Sequence, residues 1–295
     1  GMELQQLRLF LAAAESESFT RGAERAFVSQ PALSVSISKL EAEVGVKLFT
    51  RNKRNVVLTP AGRKLLQRAK LIVGECARAK DELKQHDVQR RLRLGVINTL
   101  SITHVARLIE QYRREHPDLK LDVVDSSAAE MHKLESDNRV DLVLTLLQSN
   151  PQASRRFNCS KEIFAEPYVV AMSRNHHLSR SPSISVSDLD KELFIGRSHC
   201  EHRKVMEGLL KQHNIRLNMA YITNQDDRAL ALVEADVGIA IVPEHYASSR
   251  ITTLPLVEDL SQRSIGFEWG ESDNLNEITQ FVDFASTASW TYADV

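Results

Sequence analysis

The stretch from Ser29 to Val44 restricts the fold more than any other part of the chain. Leu33, Ile37, Leu40 and Val44 recur at helical spacing and read as an inward stripe. The opposite edge, Ala32, Val35, Ser36 and Lys39, is small or polar apart from one valine. Surface helices normally carry long charged side chains on that face. Ser29 is placed to cap the helix, and Pro31 fits a first turn, where the N–H that proline lacks has no helical partner. Small side chains let a helix sink into the major groove of duplex DNA. There serine and glutamine can bond base edges and an apolar group can meet a thymine methyl. Taken alone, the stretch suits an ordinary three-helix scaffold equally well.

Its surroundings favour the groove. Leu4, Leu7, Leu11 and Ala14 predict a helix over 4–15, and Ser18 or Thr20 can cap a second one running through Arg25 or Ala26. Leu48–Arg51 and Val56–Thr59 read as two short strands around the basic turn Asn52-Lys53-Arg54-Asn55. A hairpin with Arg51, Lys53 and Arg54 at its tip is a wing for phosphates or the minor groove. Charge divides in the same way. Residues 1–91 carry 17 lysines and arginines against 10 acids, and residues 92–295 carry 21 against 29. A basic N-terminal part on an acidic remainder fits a polyanion-binding module joined to one that binds no polyanion.

The run Phe19-Thr20, Gly22-Ala23-Glu24-Arg25, Val28-Ser29-Gln30-Pro31-Ala32-Leu33-Ser34, Ile37, Leu40-Glu41, Gly45-Val46, Leu48-Phe49, Arg51, Leu58-Thr59, Ala61-Gly62 resembles the LysR-type winged helix-turn-helix. The match is continuous over roughly the first 62 residues. Gly22 and Ala26 stand where the family usually has Ala and Leu, which predicts a slightly looser core. Val35 stands where a larger polar or basic residue is common, which bears on the operator sequence. The resemblance implies a transcriptional regulator that contacts double-stranded DNA through Ser29, Gln30, Pro31, Ala32, Ser34, Val35, Ser36 and Lys39, with Arg51, Lys53 and Arg54 from the wing.

From Pro60 to about Gln85 an uninterrupted helical pattern places Leu65, Ala69, Ile72, Cys76, Ala79 and Leu83 on a heptad seam. Such a helix is about 40 Å long and cannot bury its own stripe, so a partner chain or the same subunit must cover it. The resemblance implies a linker helix pairing antiparallel with its mate, giving a homodimer and, as is usual in the family, a homotetramer. Arg63, Lys64, Arg68 and Lys70 beside it suit phosphate contacts or a solvated basic face.

Beyond Arg91 strands and helices alternate: strands at Leu92–Ile97, Leu119–Val124 and Val140–Leu146, with helices over 101–116 and about 128–137 between them. A second run has strands at Tyr168–Met172, Leu193–Ile195, Ala220–Thr223 and Gly238–Val242, with helices over 201–213 and 226–235. Alternation of this kind predicts two parallel sheets. The resemblance implies a two-lobed effector domain similar to type 2 periplasmic binding proteins. The expected class is therefore α/β overall. It comprises a winged helix-turn-helix over 1–60, a dimerising linker helix over 61–89 and an effector domain over 90–295. Lobe I is expected at about 90–164 and 267–295, and lobe II at about 165–266.

In parallel sheets ligands gather at strand carboxyl ends and helix N-termini. Those positions give Thr99, Leu100, Ser101, Ser126, Ser127, His199, Cys200, Asn224 and Gln225 as effector-contacting candidates, with helix capping as the plainer role for each. A small-molecule effector, anionic or polar, follows. Cys200 lies beside His199 and His202 near a helix start and two arginines, where a thiol pKa can fall. Its position resembles that of the reactive cysteine in peroxide-sensing members of the family. Oxidant sensing, lining a pocket and inert packing are its three open roles. An enzyme using Cys200 as nucleophile and His199 or His202 as base lacks an orienting carboxylate in the sequence, so no catalytic residues are expected. Cys76, Cys159 and Cys200 form no disulfide framework or CxxC motif, and no metal or cofactor is expected. No apolar run of about 18 residues and no secretory signal is present, which predicts a cytoplasmic protein without a membrane span.

Overall fold

The computed structural model describes residues 1–51, 56–84, 90–147 and 156–290. It divides into two compact units, Gly1–Gln89 with Lys133–Arg139, and Arg90–His132 with Val140–Val295.

The first unit is built from α1 (Leu4–Ser16), α2 (Phe19–Arg25), α3 (Gln30–Val44), β1 (Phe49–Arg51), β2 (Val56–Leu58) and α4 (Pro60–Lys84). Two serines set the helix starts. Ser18 accepts from the Arg21 amide and Ser29 from the Ala32 amide, each at 3.3 Å. Leu33, Ile37 and Leu40 on α3 are wholly buried, each contributing about 1.5–3 kcal/mol relative to exposure. Phe49 meets Phe10 and Phe19 with ring centroids 5.4 and 5.3 Å apart, joining the hairpin to α1 and α2. Glu41 is buried with them. Its carboxylate accepts from the amides of Leu48 at 2.9 Å and Phe49 at 3.3 Å and from Lys47 at 2.8 Å, which fixes where the hairpin leaves α3.

Two expectations change here. Val44 does not point inward but is exposed, because α3 stops there and turns away at Gly45, which has a φ of +73°. Gly22 does not loosen the core. A Cβ at that position would lie 2.8 Å from the Ala13 Cα, so the missing side chain is what lets α2 approach the α1 backbone.

The second unit opens with β3 (Arg90–Ile97), α5 (Ile102–Glu115), β4 (Leu119–Ser126), the first half of α6 (Ala128–Ser136), whose residues from Lys133 on belong to the first unit, and β5 (Leu142–Leu146). β3 pairs in parallel with both β4 and β5. β6 (Cys159–Glu166) then precedes β7 (Tyr168–Ser173), β8 (Leu193–Arg197), α7 (Arg203–Gln212), β9 (Asn218–Thr223), α8 (Asp226–Glu234), β10 (Ala240–Pro243) and β11 (Ile251–Pro255). β12 (Arg263–Trp269) and α9 (Leu275–Thr287) end the described chain. β12 inserts antiparallel between β5 and β6, giving a five-stranded sheet of order β4-β3-β5-β12-β6. Tyr112 on α5 packs edge-on against Phe281 and Phe284 of α9, at 4.8 and 5.1 Å, so the C-terminal helix covers this sheet.

The rest of the unit departs from the two parallel sheets that alternation predicts. β8 and β9 pair in parallel, but β7 lies between β10 and β11 and is antiparallel to both. A bridge from Phe194 to Ile239 joins the two groups. The return strand β12 begins at Arg263, ahead of the Phe267 boundary read from the sequence, because a buried arginine starts it.

Candidate nucleic-acid interface and ligand cavity

The α3 edge faces outward. Ser29, Gln30, Pro31, Ala32, Val35 and Lys39 are exposed, and Ser34 and Ser36 are half-buried. Val35 keeps 54% of its surface in water, although Leu33 and Ile37 on either side of it keep none. An apolar side chain held in solvent amid serines offers shape and little charge. Phe27, in the turn before α3, is 95% exposed in a left-handed conformation at φ +54°, and the sequence reading did not single it out. Lys53 and Arg54, and the side chain of Arg51, lie outside the described residues.

In the second unit an open cavity of about 1200 Å³ runs from the β3–α5 loop along α5 and the end of β4 to α8 and residues 246–251. Of the nine effector candidates, Leu100, Ser101, Asn224 and Gln225 line it. The other five are held by other partners, the two serines by a near neighbour in sequence and the rest by tertiary contacts. Ser126 and Ser127 are held by Glu130, whose carboxylate accepts from both hydroxyls at 2.9 and 3.1 Å. Thr99 is 4% exposed and donates to Glu201. His199 Nε2 lies 3.1 Å from Asp226 Oδ1. Cys200 packs against the apolar cluster of β7, β8 and α7.

Burial in that cluster pushes the Cys200 thiol up, and the Arg197 charge offsets only part of the rise, so the neighbouring charges do not bring it below the ordinary thiol value. Cys76, Cys159 and Cys200 are all free thiols.

Two buried polar networks were not legible as sites. In one, Arg197 donates to both oxygens of Asp226 at 2.7 and 2.8 Å, and Tyr246 donates to the same carboxylate. Burial alone would raise the Asp226 carboxyl, but the His199 and Arg197 hydrogen bonds and the Arg197 charge hold it well below the usual range. In the other, Arg263 is wholly buried and donates to Glu166 at 2.8 and 2.6 Å. The available signal was a charged residue at the first position of each element, Asp226 in α8 and Arg263 in β12.

His176, His177 and Glu192 bring three donor atoms within 4.8 Å of one another, also unforeseen apart from the adjacent histidines. His176 Nδ1 accepts from the Leu178 amide at 3.2 Å, which leaves its proton on Nε2, 3.2 Å from Glu192. The carboxylate thus sits between two imidazoles as a hydrogen-bond acceptor.

Comparison with known proteins agrees with this arrangement. Residues 4–63 match the bacterial regulatory helix-turn-helix protein, lysR family, and residues 85–289 match the LysR substrate binding domain. The chain is 26% identical over 290 residues to the Hca operon transcriptional activator HcaR of Escherichia coli, covering 95% of this chain and 96% of that one. It is 26% identical over 298 residues to the transcriptional regulator BenM of Acinetobacter baylyi, covering 99% and 97%. Among solved structures, a full-length OxyR variant from Pseudomonas aeruginosa superposes with a TM-score of 0.62 at 25% identity, covering 99% of this chain and 97% of that one. Full-length CbnR in complex with its target DNA shares the fold, with a TM-score of 0.58 at 22% identity over 98% and 100% of the two chains. Among the described residues, no helix is long and apolar enough to cross a membrane. The chain belongs to the LysR family of transcriptional regulators, with an N-terminal helix-turn-helix that binds DNA and a C-terminal domain that binds a small-molecule effector.

Proposed function

We propose that α3 enters the major groove along Gln30, Pro31, Ala32, Ser34, Val35, Ser36 and Lys39, with Ser29 at its start and Arg51, Lys53 and Arg54 on the flanking phosphates. The observation that carries this reading is the exposure of Val35 beside two fully buried neighbours. A helix edge without long side chains can approach base edges closely. The effector occupies the cavity beside Leu100, Ser101, Asn224 and Gln225 and changes promoter occupancy by favouring one arrangement of the effector domain over another. Asp125, Asp227 and Glu234 line that cavity against the guanidinium of Arg250, with Asp226 already paired to Arg197, which favours a polar ligand over an anionic one. The chain works in the cytoplasm as a homodimer, in which a partner covers Ile72 and Leu83 of α4, 41% and 81% exposed in the single chain. It assembles further into a homotetramer and catalyses no reaction.

Titration of the full chain into fluorescent duplex DNA at increasing salt tests the first part. The affinity should fall steeply, with log–log slope set by the number of phosphates neutralised. A salt-independent affinity, or no binding at low salt, contradicts it. Sedimentation of the same samples should show dimers or larger species, and a monomer at every concentration would contradict the assembly.

A further inference from the structure

Where the five-stranded sheet meets the β7–β11 region, three donors converge on one carboxylate. Glu201 sits in the turn before α7 with its side chain 10% exposed. Thr99, in the loop after β3, donates to its Oε1, and Arg263 Nη1 approaches the same oxygen at 3.3 Å. The Tyr168 hydroxyl donates to Oε2 at 3.0 Å. These donors come from three separate segments: the loop after β3 and the first residues of β7 and β12.

Charge shows why this is more than an ion pair. Arg263 already has a partner. Its Nε and Nη2 both reach Glu166, and both of these side chains are 0% exposed. The His245 amide satisfies the other Glu166 oxygen at 2.7 Å. Glu201 is therefore a second buried carboxylate on a guanidinium that one carboxylate already balances. A surplus buried charge is costly unless its surroundings are built to receive it. Here they are: burial raises the Glu201 carboxyl, but the Arg263 charge and the Thr99 hydrogen bond outweigh it, so the group stays ionised. Two hydroxyls and one guanidinium N–H, aimed at both oxygens, make a receptor for a planar monoanion.

We propose that Thr99, Tyr168 and Arg263 form a carboxylate-binding site that the chain fills with its own Glu201, a tethered ligand. Its chemical class is small monocarboxylates. The site belongs to the effector domain of the preceding reading and narrows the effector class. A tethered carboxylate acts at an effective concentration in the millimolar range or above, so a free carboxylate of ordinary affinity does not displace it. The native effector accordingly engages the neighbouring cavity through polar groups.

Glu201→Ala opens the receptor while Glu166 still balances Arg263. In the full chain, the melting temperature of this variant should fall by roughly 5–10 °C. Sodium acetate or propionate should recover at least half of that loss in a saturable manner, and sodium chloride at equal ionic strength should not. Wild type and Glu201→Gln, whose amide fills the same space, should respond to acetate no more than to chloride. Adding Thr99→Val to Glu201→Ala should abolish the recovery. No recovery in Glu201→Ala, or an equal saturable response in wild type, overturns the proposal. If Glu201→Ala does not fold in chloride, refolded yield against acetate carries the same two outcomes. Duplex DNA binding by the same samples separates the readings: wild type that fails to bind DNA sinks the regulator account alone, and intact DNA binding without acetate recovery sinks this site alone.

Discussion

Asp226 shows how one buried carboxylate can organise the side chains around it. Its carboxylate accepts from two N–H groups of Arg197 and from the Tyr246 hydroxyl, with the His199 ring 3.1 Å away, all in a buried setting. An aspartate free in solution titrates near pH 4, to within about a unit. In the fold it stays charged to lower pH, since the hydrogen bonds and the Arg197 charge overcome burial. A carboxyl whose pKa is depressed by folding stabilises the native state fully above the unfolded value, and that contribution is lost as pH falls through the folded value. Asp226→Asn leaves Arg197 buried without a counter-charge, so it should cost roughly 3–5 kcal/mol at pH 7. The gap to wild type should narrow as pH drops below about 4. Both tryptophans, Trp269 and Trp290, lie in the second unit. Urea unfolding followed by their fluorescence reads that unit directly, and a gap constant from pH 7 to pH 3 would refute the assignment.

Among the elements, the α1–α2 contact sets helix propensity against packing. Gly22 lies inside α2, where alanine would ordinarily gain about 1 kcal/mol. Its Cβ would meet the Ala13 Cα at 2.8 Å and the Ala13 amide nitrogen at 2.9 Å. Backbone cannot yield as a flexible side chain can, and overpacking typically costs about 1–3 kcal/mol. Packing should win: Gly22→Ala should melt below wild type by calorimetry, and a higher melting point would show that α1 and α2 approach less closely than described.

The same scale shows what the sequence could and could not convey. Elements with strong periodicity were legible almost to the residue. α3 was marked by its serine cap and apolar stripe, and α4 by its heptads. The three strands missed from the second unit each lacked that signal. β6 is largely exposed and rich in polar residues, β11 is a short threonine-bearing strand, and β12 opens on a buried arginine that local pattern counts as surface. Long-range partners decide these strands, and one sequence does not display them. The effector candidates divide for the same reason. Glu130 engages Ser126 and Ser127 from three and four residues away, a pairing the local sequence carries, but whether Asp226 meets His199 or Glu201 meets Thr99 depends on tertiary placement.

At the scale of the whole molecule, a basic, slim-edged DNA-binding unit is joined to an acidic ligand-binding unit. All of it depends on the α3 edge lying in a groove. Val35→Glu probes that edge without touching the core, since the side chain is 54% exposed and its buried neighbours Leu33 and Ile37 are unchanged. A carboxylate there would face phosphates and base edges. Measured by fluorescence anisotropy on a duplex enriched from a random pool by the wild-type protein, Val35→Glu should bind at least tenfold more weakly, about 1.4 kcal/mol, with an unchanged melting temperature. Wild-type affinity in a folded Val35→Glu protein would contradict the claim.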